Sequence, residues 1–197
     1  MQPAKLNYKI YQGSTFEESY RWESETKVYV PIASITKAAP CEITTTIPHD
    51  LPMGWRFKVV GAGGMKEINS VSDSTEIATY TTTTLIRVNQ INSLGYTTYT
   101  SGGIIEYNQP VPLLGYSARM QIRESVDSDT VIYEATSSAG QIVLNNSVKT
   151  IMLTIPASAT ALFTFSTAVY SVELFDTNGK VIPFLVGNLT LVPEVTR

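Results

Sequence analysis

Alternation of apolar and polar residues is the feature that most constrains how this chain can fold. Residues 116–123 read YSARMQIR, in which every second side chain is apolar or aromatic, and residues 55–59, 150–155 and 169–175 repeat the pattern. Successive side chains of a strand point to opposite faces of its sheet, so this period of two indicates half-buried strands and does not fit a helix. The chain is therefore predicted to be all-β, built on an antiparallel β-sandwich of Ig-like or jelly-roll-like type.

A tight turn near the C-terminus predicts a hairpin. Residues 176–179 read DTNG, and an Asn-Gly pair suits the positive φ angles of a short turn. Residues 169–175 and 181–186 would be its two strands, with Pro183 marking an edge or a bulge in the second. Gly187 is expected to break that strand before the sheet continues.

The N-terminal region predicts a second hairpin, and the chain offers a single candidate helix. Residues 8–11 and 16–22 are expected to pair around a turn at Gly13. The only Ala-rich run, residues 157–163, follows Pro156, and Ser158 could cap one short helical turn or two. We therefore expect one short helix at most.

The amino-acid composition changes in the middle of the chain, and this change predicts an inserted domain. Residues 33–109 are richer in Thr and Gly than their flanks and contain few long apolar runs, and Pro31 and Pro110 lie near the two ends of this region. We interpret it as a small β domain inserted into a host sandwich made of residues 1–32 and 110–197. The alternative is one larger sandwich without an insertion.

Composition excludes several classes of protein. The chain has 14 Lys and Arg against 17 Asp and Glu, a formal net charge of −3, and only 16% of its 197 residues are charged while 43% are hydrophobic. A disordered chain needs the opposite balance, and a nucleic-acid binder usually carries a basic excess. No window reaches the ~18 apolar residues that indicate a transmembrane helix, and no secretory leader is apparent. We expect no nucleic-acid or membrane partner, and folding in a reducing cytoplasm.

Residues for catalysis or metal binding are scarce. The chain has one histidine, His49, in the segment IPHDLP, and one cysteine, Cys41. A Ser-His-Asp or Cys-His set needs a histidine base, and two flanking prolines indicate a rigid turn in which His49 bonds to backbone. A zinc site needs three or four Cys or His ligands, so Cys41 is expected to be a small buried residue. We predict no catalytic, cofactor-binding or metal-binding residues.

Three weaker candidates also favour structural roles. The loop GAGGM at residues 61–65 follows a strand but lacks the Lys and the helix of a phosphate-binding loop, so a turn or bulge is predicted. Asp127, Asp129 and Glu134 do not have the spacing of a calcium loop. The eleven tyrosines are expected mainly at strands and interfaces, although some could stack on sugars. Four carboxylates are expected to be solvated edge charges: Glu17, Glu18, Glu23 and Glu25.

Two sets of segments resemble proteins of tailed bacteriophages. The first set comprises residues 1–5, 10–16, 21–22, 113–123, 170–174 and 179–197. It resembles a family of virion proteins related in pattern to the N-terminal domain of phage baseplate upper proteins. The second set comprises residues 35–40, 49–52, 64–69 and 99–103. It resembles the small β-barrel module known as the FCCH domain, which carries no ubiquitin chemistry in phage proteins. The family usually has His-Gly where this chain has His49-Asp50.

The resemblance covers nearly the whole chain and implies a function. It implies a structural protein of the virion, an adaptor in the tail, collar or baseplate that attaches fibres or completes the connector. The expected partners are other virion proteins, namely tail, neck or fibre subunits, in a symmetric assembly of several copies put together in the bacterial cytoplasm. Two alternatives stay open: a decoration protein on the capsid surface, and a carbohydrate-binding module for host glycans.

Overall fold

Strands dominate the computed structural model, which describes residues 2–72 and 74–194. Strands account for 48% of the chain and helix for 4%, which confirms the all-β prediction. None of the helices in the described part of the chain has the length and apolar character needed to cross a membrane. The strands in chain order are β1 (Ala4–Lys5), β2 (Tyr8–Tyr11), β3 (Phe16–Tyr20), β4 (Glu23–Ile35), β5 (Cys41–Thr45), β6 (Arg56–Val60), β7 (Glu76–Ile77), β8 (Tyr80–Thr81), β9 (Leu85–Val88), β10 (Ile104–Pro110), β11 (Ser117–Arg123), β12 (Val131–Thr136), β13 (Ile142–Asn145), β14 (Thr150–Ile155), β15 (Thr167–Phe175) and β16 (Val181–Val192).

The chain divides into two compact units. The first unit contains Met1–Arg21 and Pro112–Arg197, and the second contains Trp22–Val111. The first division therefore falls some ten residues earlier than the expected boundary after residue 32, because β4 runs without interruption from Glu23 and pairs along its whole length inside the second unit.

The first unit consists of two sheets. The larger has the order β1-β16-β15-β11-β12, with β2 also paired to β16, and the smaller has the order β13-β14-β3. The predicted alternation is confirmed, since Met120, Val172 and Leu153 are among the inward residues that are fully or almost fully buried. Tyr20 of β3 packs edge-on against Phe184 of β16, with 6.2 Å between ring centroids. The apolar faces of the two sheets together form one core.

The predicted N-terminal hairpin is wrong. β2 pairs in parallel with β16, whereas β3 pairs antiparallel with β14 of the smaller sheet. The chain crosses between the sheets around Gly13, where φ is +76°, and the backbone N–H of Gln12 donates to the carbonyl of Val192. Alternation identified both strands correctly, but it carries no information about which sheet a strand joins.

The C-terminal hairpin is confirmed, with one difference. β15 and β16 pair antiparallel around the predicted turn, and their register shifts between Val172 and Glu173, opposite Pro183. The expected break at Gly187 does not occur, and β16 continues to Val192. Gly187 has a different role, because the carbonyl oxygen of Leu6 occupies the place where a Cβ would stand. Within the described residues there is one α-helix, α1, which covers only Ala157–Thr160.

The second unit is a single curved sheet of seven strands. Its order is β7-β6-β10-β4-β5-β9-β8. The long strand β4 pairs with β10 along its first part and with β5 along its last part, and a register shift between Ile32 and Ser34 bends it. The sheet surrounds one core in which Trp55 and Phe57 are fully buried, as the alternation in residues 55–59 predicted.

Candidate functional site

His49 is a structural residue of a loop in the second unit. Its side chain is 2% exposed. The backbone N–H of Leu51 donates to Nδ1 at 3.0 Å, so Nε2 carries the proton and donates to the carbonyl of Leu85 at 3.3 Å. Burial lowers the pKa of His49, which keeps the ring neutral. The next residue, Asp50, has a φ of +49°, the conformation that a glycine would favour. The prediction of a turn histidine bonded to backbone is confirmed.

Cys41 is buried and takes no part in a metal-binding group of the described residues. Cys41 is fully buried, its Sγ lies 3.7 Å from the carbonyl of Thr36, and burial raises the pKa of its thiol. A buried thiol with a raised pKa is inert, as predicted. Within residues 2–72 and 74–194, no three His, Cys, Asp or Glu side chains come together in a way that could hold a metal ion.

The glycine loop at residues 61–65 packs against the backbone of residues 100–103. The N–H of Gly63 donates to the carbonyl of Ser101 at 2.9 Å, and the N–H of Thr100 donates to the carbonyl of Gly63 at 3.0 Å. A Cβ on Gly103 would stand 2.8 Å from the backbone of Ala62. Two backbone segments therefore lie in direct contact, which needs glycine. A short 3-10 turn, Lys66–Ile68, follows the loop; the sequence did not indicate it.

Glu23 differs from the prediction of a solvated edge charge. Its side chain is 14% exposed and accepts two hydrogen bonds from Arg56, from Nε at 2.8 Å and from Nη2 at 2.7 Å. Nδ2 of Asn108 donates a third at 3.1 Å. The Glu23 carboxylate raises the pKa of Arg56. The prediction is wrong because Glu23, Arg56 and Asn108 come from strands that are distant in sequence and adjacent in the sheet.

The aromatic residues do not form a sugar-stacking platform. Both tryptophans, Trp22 and Trp55, are buried. Among the described tyrosines, the strongly exposed ones are Tyr11, Tyr29 and Tyr80. Tyr11 lies in the first unit, and Tyr29 and Tyr80 lie on β4 and β8, which two other strands separate in the sheet order. A glycan groove usually presents neighbouring exposed rings, and the described residues do not place two of these rings side by side.

One outward face of the second unit combines paired charges with an apolar row. We call this the mixed face, and it is formed by β6, β10 and β4. Lys27 is ion-paired with Glu106, and the Glu23 pair lies on the same face beside a groove of about 190 Å³. Farther along the same strands, Val60 stands opposite Ile104, and Ile104 stands opposite Pro31. The mixed face contains Glu23, Lys27, Tyr29, Pro31, Arg56, Lys58, Val60, Ile104, Glu106 and Asn108.

A cleft lies on the outer surface of the first unit. It measures about 560 Å³ and opens on the outward face of β1, β16, β15 and β11. We call it the cationic cleft because it is lined by Lys5, Arg119 and Arg123 and by one carboxylate, Glu173. Its apolar lining comes from Val126, Val169 and Val186, and its polar lining includes Ser171 and Asn188.

The cations of the cleft are not equivalent. Nη2 of Arg119 donates to Glu173 at 2.9 Å. Arg123 donates to two neutral acceptors, from Nη1 to the carbonyl of Ser128 at 2.7 Å and from Nη2 to Oε1 of Gln121 at 2.9 Å. These bonds orient the guanidinium without neutralising its charge. Composition and alternation could not reveal this cleft, because its members come from four segments that only the sheet order brings together.

A comparison with protein-family models and with curated protein sequences finds no significant match for this chain.

Proposed function

We propose that this chain is a structural adaptor in the particle of a tailed phage, located in the tail, collar or baseplate. The proposal starts from the segment resemblance described above. The all-β fold is compatible with the proposal, and so is the order along the sequence, in which the second unit separates the two segments of the first.

The observation that carries the proposal is the apolar row of the mixed face. Val60 is 41% exposed and stands in line with Ile104 and Pro31 on adjacent strands. Tyr29, 55% exposed, lies two residues before Pro31 on β4 and stands opposite Glu106. Protein interfaces commonly place aromatic and aliphatic residues at their centre and charged residues at their rim. On the mixed face, the Glu23–Arg56 and Lys27–Glu106 pairs lie on one side of the row, where they form part of such a rim. We therefore assign this face to contact with a neighbouring virion subunit, while the first unit docks to the particle.

Purified particles of a phage that encodes this chain provide the test. Mass spectrometry should detect the chain, and an electron density map should locate it in a ring of the tail, neck or baseplate, at about six or twelve copies as ring symmetry requires. Copies on the order of hundreds, arranged over the capsid, would replace the adaptor proposal with the decoration alternative. Particles that lack the chain altogether would overturn the proposal.

A matched pair of variants tests the assigned face. Val60→Asp places a charge in the apolar row, whereas Val71→Asp places the same charge at another exposed valine of the second unit, 79% exposed. Incorporation into particles should fall at least about tenfold for Val60→Asp, because an unpaired charge in an interface core costs on the order of 2 kcal/mol or more. Equal incorporation of both variants would remove the mixed face from the interface.

A further inference from the structure

We propose that the cationic cleft of the first unit binds an extended peptide segment that carries two carboxylates around a small apolar side chain. The proposal concerns a surface other than the mixed face and does not depend on the partner being a virion protein. It rests on three properties of the cleft: its charge, the separation of its cations, and its apolar lining.

The charge of the cleft is opposite to that of the chain. The chain has a formal net charge of −3, yet the cleft is lined by three cations and one carboxylate. Glu173 neutralises Arg119, whereas Arg123 bonds only to neutral acceptors and Lys5 makes no ion pair among the described residues. Two positive charges therefore face the cleft without a carboxylate. A negatively charged ligand gains from both, and a cationic or neutral one does not.

The separation of these two cations favours a peptide over a single small anion. Lys5 pairs with Val186 on β16, whereas Arg123 lies on β11, two strands beyond β16 and opposite Val169, which pairs with Asn188. Three steps between strands of ~4.8 Å and two residues of rise place the two backbones roughly 15 Å apart. A ligand with a single carboxylate would contact only one of two cations whose backbones lie this far apart. In an extended segment, side chains at positions i and i+4 lie on one side about 13 Å apart, so two carboxylates reach both ends.

The apolar residues between the two cations favour an apolar side chain at the central position of the peptide. Val169 and Val186 line the cleft, and Val126 stands at it with 83% of its surface exposed. In a segment of the form Glu-x-Val-x-Glu, the central valine points to the same side as the two carboxylates and meets this apolar lining. The volume of about 560 Å³ holds three side chains of this kind.

The test uses the full-length, ¹⁵N-labelled protein and two capped synthetic peptides, ETVTE and QTVTQ. Millimolar ETVTE should produce saturable shifts in the backbone amides of Ser171, Gly187 and Asn188, whereas QTVTQ should bind at least about tenfold more weakly, because charge-assisted hydrogen bonds are lost at both ends. Added salt should weaken ETVTE binding, because screening reduces the attraction between exposed charges.

Matched variants separate a specific site from diffuse attraction. Lys5→Gln should weaken ETVTE binding about fivefold to tenfold. Lys180→Gln removes the same charge from an exposed lysine of the first unit that does not line the cleft, and should leave binding unchanged. Equal losses in both variants, equal shifts with QTVTQ, or no saturable shift would overturn the proposal. Inorganic phosphate that displaces ETVTE and gives the same shifts would identify a small-anion site and would also overturn it.

Discussion

The mixed face of the second unit and the cationic cleft of the first unit use charge in different ways. On the mixed face, Glu23 binds Arg56 through two hydrogen bonds and Lys27 is paired with Glu106. In the cleft, Arg119 is the one cation with a carboxylate partner among the residues that the structure describes. A charge that is already paired contributes to the folded structure and offers little to a ligand, whereas an unpaired one at a cavity remains available. The comparison teaches that charged side chains on an outward sheet face can be paired with one another in one unit and stay available to a ligand in the other.

The largest loss of stability is expected for Gly187→Ala, which would displace one wall of the cleft. Gly187→Ala brings a Cβ onto the carbonyl of Leu6, the residue after β1, so the strand that carries Lys5 must move. We expect a loss of about 3 kcal/mol in the free energy of unfolding, measured by urea denaturation. Gly95→Ala is the control, because nothing lies within 4 Å of its Cβ position. Equal stability of the two variants would contradict the close approach at Gly187.

Acid should affect the two units differently, because the one histidine of the chain lies in the second unit. Burial lowers the pKa of His49 below its usual value near 6.5. As pH falls from about 6.5 towards 5, the unfolded chain binds a proton that the folded chain does not, so the free energy of unfolding decreases by at most about 1.4 kcal/mol per pH unit. Both tryptophans lie in this unit, so tryptophan fluorescence follows its unfolding directly. His49→Gln should flatten the slope in this range, and an unchanged slope would show that His49 does not cause it.

Double-mutant cycles compare the ion pairs of the two surfaces. The Glu23–Arg56 pair has two parallel hydrogen bonds and a carboxylate that is 14% exposed, whereas the Arg119–Glu173 pair has one bond and a carboxylate that is 32% exposed. We expect a coupling energy of about 1 kcal/mol for the first pair and at most about 0.5 kcal/mol for the second, measured by thermal unfolding. A coupling that is larger for Arg119–Glu173 would reverse the contrast between the two surfaces.

Lys5 should contribute little to the stability of the folded protein. Lys5→Gln should change the free energy of unfolding by no more than about 0.5 kcal/mol, because the side chain is exposed and unpaired among the described residues. Glu23→Gln on the mixed face should cost more, because it leaves Arg56 without its bidentate partner. A loss for Lys5→Gln that matches the loss for Glu23→Gln, measured by urea denaturation, would mean that Lys5 also serves the fold.

Sequence reasoning predicted the strands well and their partners poorly. The period of two in residues 116–123 and 150–155 depends on burial of one sheet face, which is a local property, and the structure places β11 and β14 there. The C-terminal hairpin was also predictable, because Asn178-Gly179 specifies its own turn. The N-terminal hairpin was not, since the partner of β2 is β16, nearly the whole chain away.

Neither surface could be derived from the sequence alone. The partners of Glu23 lie more than thirty residues away along the chain, at 33 positions for Arg56 and 85 for Asn108. The cleft depends on the order of four strands, which charge and hydropathy do not encode locally. The isolated candidates were different: His49 and Cys41 were predictable because too few potential ligands accompany them in the sequence, whatever the fold.

The parallel pairing of β2 with β16 has a consequence for biosynthesis. The larger sheet of the first unit needs Tyr8–Tyr11 beside residues that end at Val192, so it cannot be completed until almost the whole chain has left the ribosome. All strand pairs of the second unit lie between residues 22 and 111, so that unit can close while the rest is still being translated. We therefore expect the second unit to fold before the N-terminal strands pair with their partners in the first unit.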